Sequence, residues 1–416
     1  MMHAALIWTI AALAIAGVLF RPRNWPEALW ACLAAAVLAA SGLLPWAAAG
    51  AAIAKGTDVY LFLTGMMLLA ELARREGVFD WLAGLAVESA KGSRPRLFTL
   101  VFAVGTAVTV FLSNDATAVV LTPAVYAAVR RARVDALSYL FICAFIANAA
   151  SFVLPISNPA NLVVYGRNIP PLAPWLRTYF LPSVCSIGVT YAALRWAVRN
   201  RMEGKIEGFA IAPALSAEGM RAAWGIATTG AALITASALG FDLGLPTCIA
   251  ALIAVGVATR LRWPAIREIA EGVSWSVLPL VAGLFVLVEA LNRAGALHAM
   301  IQLFSAFARM PRVAGELAAS FGMAGISNVM NNLPSGLLAG SALQSLADAA
   351  RIRNAVLIGV NLGPNLSVTG SLATVLWLLA LRREGFEISA WRFLKLGAIV
   401  MPPALLAATL AIGLLN

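Results

Sequence analysis

The chain has 416 residues, 61% of them hydrophobic and only 12% charged, with a mean hydropathy of +0.87. No soluble fold of this length hides so much apolar surface, so the composition excludes one and predicts an all-α polytopic membrane protein. The formal charge of +11 does not mark a nucleic-acid binder, because the basic residues sit in short connections between apolar runs, where they set orientation in a bilayer.

The apolar runs are about 17–22 residues long, the length a helix needs to cross a hydrocarbon core of ~30 Å. Ala4–Phe20 is the first. Met1–His3 offers no basic n-region and the positive charge follows, at Arg21 and Arg23, so the run is expected to be a transmembrane helix rather than a cleaved signal. Ala28–Leu44 is the second span, 45–57 a small-residue connection, and Asp58–Arg74 the third span, with Glu71 near its end. Over 76–91, Val78, Trp81, Leu82, Leu85 and Ala86 recur at helical spacing, which predicts an amphipathic helix lying along the membrane surface. Residues 95–129 are apolar on both arms and polar in the middle, where Phe111–Pro123 reads FLSNDATAVVLTP. Arg94 and Arg96 flank the start of this stretch and Arg130, Arg131 and Arg133 follow it, so both ends belong on one side. The segment is expected to be a re-entrant hairpin whose arms turn back halfway, with bare backbone buried in protein or lining a cavity. Residues 136–165 form a span broken by Pro155-Ile156-Ser157-Asn158-Pro159-Ala160-Asn161, because two prolines interrupt the helical ladder. Thr178–Val198 is the fifth span, and 199–221 a cytoplasmic linker.

The second half repeats the first. A single ungapped slide of the chain along itself lays Gly65 on Gly283, Glu71 on Glu289, Arg75 on Arg293, Gly77 on Gly295 and Asn114 on Asn332. A further shift of about eight residues sets Ser157–Asn161 against Ser367–Ser371. The predicted architecture is therefore ten transmembrane helices in two inverted five-helix repeats, each with a re-entrant hairpin and one broken helix. The first repeat is 1–198 (hairpin 95–129, broken helix 136–165), and the second is 222–416 (hairpin 312–349, broken helix 355–381). In this topology 22 of the 30 Lys and Arg residues fall on one side and 8 on the other. The excess puts that side in the cytoplasm of a cell-membrane (inner, plasma membrane) multi-pass protein, with both termini external.

Four polar breaks converge in this plan, two hairpin tips and two broken helices. Their side chains are amides and hydroxyls: Asn114, Thr117, Ser157, Asn158, Asn161, Asn331, Asn332, Ser335, Thr369 and Ser371. Together with Asp115 they are the candidate substrate-binding residues. Such groups suit a neutral polyhydroxy solute or a partly dehydrated ion, and the lack of Lys or Arg in any break argues against a di- or tricarboxylate. Asp115 is the one acid. It can take up and release a proton during transport, or it can merely cap the helix that follows. Glu71 and Glu289 are expected to pair with Arg74, Arg75 or Arg293 near span ends. The four cysteines (Cys32, Cys143, Cys185 and Cys248) lack metal-ligand or redox spacing, and His3 and His298 stand alone, so neither a metal site nor a cofactor is expected. No phosphate-binding loop occurs, and no enzyme activity is expected.

The motifs FLSNDATAVVLTP, ISNPANLVV, ISNVMNNLPSGLLAG and GVNLGPNLSVTGSLATVLWL resemble, in order and spacing, the arsenite efflux pump branch of the ion transporter superfamily. The resemblance covers essentially the whole chain. It implies expulsion of arsenite and antimonite as neutral trihydroxides driven by the proton gradient. Some pumps of this branch associate with a cytoplasmic arsenite-stimulated ATPase subunit. The wider superfamily includes sodium/proton antiporters and sodium-coupled dicarboxylate carriers, and an uncoupled metalloid facilitator is a third alternative. Some pumps of the branch carry a lysine where this chain has Asn365, which leaves Asp115 as the main titratable candidate for coupling.

Overall fold

A computed structural model describes residues 2–20, 22, 25–206, 214–347 and 349–414. Arg21 and Arg23, the basic end expected for the first span, lie outside the described residues, as do 207–213 of the linker and the terminal residues Met1, Leu415 and Asn416.

The first half comprises α1 (Met2–Phe20), α2 (Glu27–Ala40), α3 (Trp46–Lys55), α4 (Thr57–Arg75), α5 (Val78–Ser89), α6 (Arg94–Phe111), α7 (Asn114–Ala116), α8 (Thr122–Arg131), α9 (Ala136–Ala149), α10 (Pro159–Tyr165) and α11 (Leu172–Ala197). A π-helical turn, Thr117–Leu121, joins α7 to α8. The second half runs α12 (Ala217–Ala238), α13 (Gly244–Thr259), α14 (Trp263–Gly272), α15 (Val277–Arg293), α16 (Ala296–Arg309), α17 (Arg312–Met330), α18 (Asn332–Gln344), α19 (Ala350–Leu362), α20 (Leu372–Arg383) and α21 (Ala390–Gly413). The described residues contain no named strand, and helix follows helix in the same order in both halves. By length and composition, α6 and α21 could each cross a membrane alone. The pairs α3–α4 and α14–α15 qualify when each is counted as one span, bent by 48° and 42°.

Two expectations change. The connection 45–57 is largely helical: Pro45 precedes an alanine-rich run and α3 forms there, meeting α4 at Gly56. The hairpin arms are also longer than a halfway turn, since the 18 residues of α6 extend about 27 Å. What distinguishes the hairpin from two spans and an outside loop is its tip, where Ser113, Asn114 and Thr117 are buried.

Local chemistry sets the boundaries. Ser93, Ser216, Ser371 and Ser389 each accept a backbone N–H at the start of a helix. Gly77 and Gly295 take φ of +72° and +96° where α4 turns into α5 and α15 into α16, a conformation that costs glycine least.

The halves interlace. Helix α4 lies against α13, α15 against α2, and α11 against α21. A Cβ on Gly65 would fall 2.6 Å from the Thr247 carbonyl oxygen, and one on Gly283 2.8 Å from the Ala31 carbonyl carbon. These two glycines therefore permit the crossing of α4 with α13 and of α15 with α2. In hydrocarbon, where apolar burial drives little helix association, such close approach supplies the packing energy.

Candidate translocation site

Each hairpin is closed by a hydroxyl pair across its arms. Thr109 and Thr117 oxygens lie 2.8 Å apart in the first hairpin, and Ser327 and Ser335 oxygens 2.9 Å apart in the second. The slide that lays Asn114 on Asn332 also lays Thr109 on Ser327 and Thr117 on Ser335. The tips are then pinned to the breaks. Ser157 Oγ donates to the Val110 carbonyl at 3.0 Å. At the other tip, Asn332 N–H donates to the Gly370 carbonyl at 2.9 Å and Asn331 Nδ2 to the Thr369 carbonyl at 3.3 Å. Asn331 has φ +75°, a backbone conformation that asparagine tolerates better than most residues.

The first tip settles what caps its helix. Ser113 Oγ accepts from Ala116 N–H at 3.1 Å, and Asn114 Oδ1 accepts from Asp115 N–H at 3.0 Å. Asp115 is therefore not the cap, and among the described residues its carboxylate has no hydrogen-bond or ion-pair partner. The π-helical turn that follows lets Thr122 Oγ1 reach back to the Thr117 carbonyl at 3.2 Å.

The broken helices meet in a buried amide lattice. Asn361 Oδ1 accepts from Ser151 Oγ at 2.7 Å and Asn158 Nδ2 at 2.8 Å, while Asn361 Nδ2 donates to Asn161 Oδ1 at 2.9 Å. Asn161 Nδ2 in turn satisfies the Ser151 carbonyl at 2.8 Å. Asn148 Nδ2 donates to Asn365 Oδ1 at 3.0 Å, and Asn365 Nδ2 to the Phe145 carbonyl at 3.0 Å. Ser371 caps α20 through Thr374 N–H at 3.1 Å. Proline breaks free backbone groups, and these amides take them up. Ser157, Asn158, Asn161 and Ser371 are thus spent on structure and face no open space. Asn114, Thr117, Asn332 and Ser335 are likewise buried. Thr369 is half-buried, and its hydroxyl donates to the Asn328 carbonyl at 3.0 Å.

Open space lies on one side of the first tip. A cavity of about 500 Å³ is bounded by Ser113, Asp115, Ala116, Val119, Val120 and Pro123 of the hairpin, Pro159 at the start of α10, and Leu376, Leu379, Ala380 and Arg383 of α20. The far wall is Phe62 to Arg74 of α4 and the bend Gly272–Val277. Of the eleven sequence-predicted residues, Asp115 alone reaches this cavity. Asn331 lines a separate space of about 20 Å³, with Leu280, Leu284, Leu333, Pro334 and Leu372.

Sequence reasoning missed Asn148, Ser151, Asn361 and Thr374, and it missed that Glu71 and Arg74 face the same cavity as Asp115. It anticipated their pairing: Arg74 Nε lies 2.7 Å and Nη2 2.5 Å from the Glu71 carboxylate oxygens. Glu289 pairs with Arg293 at 3.1 Å and with Lys55 at 3.4 Å. The signal for the lattice is a register: the slide that lays Asn148 on Asn361 also lays the cap Asn158 on the cap Ser371. The slide that matches Ser157 with Ser367 hides both.

The chain is 27% identical over 374 residues to an arsenical pump membrane protein of Yersinia enterocolitica, and 27% over 370 residues to one of Escherichia coli (strain K12), with 84% of each chain covered. An uncharacterized transporter of Mycobacterium tuberculosis (strain ATCC 25618 / H37Rv) is 26% identical over 375 residues, covering 86% of both. Among solved structures, the YdaH transporter of Alcanivorax borkumensis superposes with a TM-score of 0.57 at 14% identity, over 88% of this chain and 86% of that one. That likeness is one of fold. The family model described as citrate transporter (CitMHS) matches residues 6–362, most of the chain and both hairpins, so this protein belongs to the CitMHS family of membrane transporters.

Proposed function

We propose that the chain exports arsenite and antimonite as neutral trihydroxides in exchange for protons, with Asp115 carrying the proton. The observation that bears most weight is the placement of Asp115: a carboxylate on a cavity wall, without a partner among the described residues, in a chain whose similar proteins include arsenical pumps. An unpaired acid at membrane depth is costly and marks a path or a coupling site. The Ser113 and Ser274 hydroxyls on the same wall suit a solute that carries hydroxyls and no charge. The repeats lie inverted in the inner membrane, with the basic connections cytoplasmic and both termini external. In that orientation the cavity, with Arg74 and Arg383 on its wall, faces the cytoplasm, where an exporter loads.

Everted vesicles test the reading directly. Arsenite uptake is expected to require an imposed proton gradient and to collapse when an uncoupler is added. Uptake that ignores the uncoupler overturns proton exchange and leaves a facilitator, and dependence on sodium instead would point to a sodium-coupled carrier.

A further inference from the structure

The cavity wall carries five ionisable side chains: Glu71, Arg74, Asp115, Arg383 and Glu384. Three are acids and two are arginines, so the wall is not net positive whether Asp115 is charged or holds a proton. Glu71 is the buried member of its pair, with 8% of its side chain exposed against 54% for Arg74. Both of its oxygens engage the guanidinium, the fork geometry in which arginine otherwise binds a free carboxylate. The second half of the chain holds it there. Gly272, at the end of α14, lies against the Glu71 carboxylate, and a Cβ at that position would overlap Glu71 Oε1.

We infer that Glu71 sets the charge selectivity of the cavity: by occupying the Arg74 fork, it denies that arginine to carboxylate solutes. In this chain the acid that a dicarboxylate or tricarboxylate would supply is already built into the wall. Gly272 is a positioning residue for it. The inference rests on the cavity being the solute path, and it narrows the solute to one without carboxylates, although the family model is described by citrate.

The test uses purified full-length protein in detergent, with citrate as probe, read by titration calorimetry and by the thermal shift citrate produces. Neither arsenite nor a gradient is present, so failure of proton-coupled export leaves the result intact. Wild type is expected to show no citrate binding. Glu71→Gln frees Arg74 and should make citrate binding measurable, at an affinity about tenfold or more above the detection limit that bounds wild type, the effect of one charge-assisted bond. Glu71→Gln/Arg74→Gln should lose that gain. Gly272→Ala, which displaces the Glu71 carboxylate while keeping every charge, should give a smaller gain and serves if the first variant does not fold. Citrate binding by wild type, no gain in either single variant, or a gain that survives removal of Arg74 overturns the inference.

Discussion

The cavity beside the first hairpin and the small space beside the second are built from corresponding residues. Phe62, Met66, Ser113, Asp115 and Ala116 line the first. Their counterparts under the slide that lays Asn114 on Asn332, namely Leu280, Leu284, Asn331, Leu333 and Pro334, line the second. One holds about 500 Å³ and the other about 20 Å³. Packing around the second hairpin is close. Helix α18 lies against α10, where a Cβ on Gly340 would fall 2.6 Å from the Val163 carbonyl oxygen. The first hairpin has Thr122 in place of that glycine. The two halves thus share a backbone plan and differ in state, one open and one closed. A transporter that alternates access needs both states available to one plan. The residues add a second difference, since the open half carries the acid and the closed half carries leucine.

The largest effect expected from breaking this difference is on coupling. Asp115→Asn keeps the shape of the tip and removes the titratable group, and gradient-driven arsenite transport in vesicles should fall to the level of vesicles lacking the protein. Its abundance in the membrane should not change, because Ser113 does the capping. Wild-type coupling in this variant would remove Asp115 from the mechanism. The reciprocal change, Leu333→Asp, forces a carboxylate into a closed apolar space of about 20 Å³. The penalty of several kcal/mol should show as a loss of folded protein by size-exclusion chromatography. Normal yield would mean that the second half opens readily.

The amide lattice comes next, because it ties together the broken helices of both halves. Asn361→Leu removes the acceptor for Asn158 and the donor to Asn161, both buried, while Ser151 keeps the Asn148 carbonyl at 2.7 Å. Leaving such groups without partners costs about 1–3 kcal/mol each, so a loss of about 2 kcal/mol or more is expected in thermal unfolding of the purified protein. A near-neutral result would mean that water enters the lattice.

The hairpins are legible in the sequence because polar tips interrupt apolar arms, and Asp115 is legible because a lone carboxylate stands out in an apolar run. The paired positions Gly65 and Gly283, or Gly77 and Gly295, can be found by identity because the backbone at those places demands glycine. The break register cannot be found that way. A helix start accepts Asn or Ser equally well, so Asn158 and Ser371 share a role without sharing a residue type. Nor could spacing separate the amides that line space from those that fill it. Asn158 and Asn161 are consumed by Asn361 in the other half of the chain, a partner that only the tertiary fold supplies. For the same reason Glu71 and Arg74 read as an ordinary pair at a span end until α4 is placed opposite the first tip.

The smallest expected effect separates the two hydroxyl pairs. In the first hairpin Thr109 Oγ1 lies 2.8 Å from the Gly105 carbonyl as well as 2.8 Å from Thr117 Oγ1, and Thr117 Oγ1 lies 3.3 Å from the Ser113 carbonyl. Thr117→Val then leaves Thr109 still bonded, and the cost should be near ~1 kcal/mol. In the second hairpin Ser335 Oγ lies 3.2 Å from the Asn332 carbonyl and 2.9 Å from Ser327 Oγ, and either hydroxyl can donate across the arms. Ser327 is fully buried and has no other side-chain partner among the described residues. Ser335→Ala therefore leaves a buried hydroxyl without a partner and should cost about 1–3 kcal/mol, more than the matching change in the open half. Thermal unfolding of both variants beside wild type decides it. Equal shifts, or a larger one for Thr117→Val, would mean that the two hydroxyl pairs do not distinguish the hairpins and that their difference lies only in the walls around them.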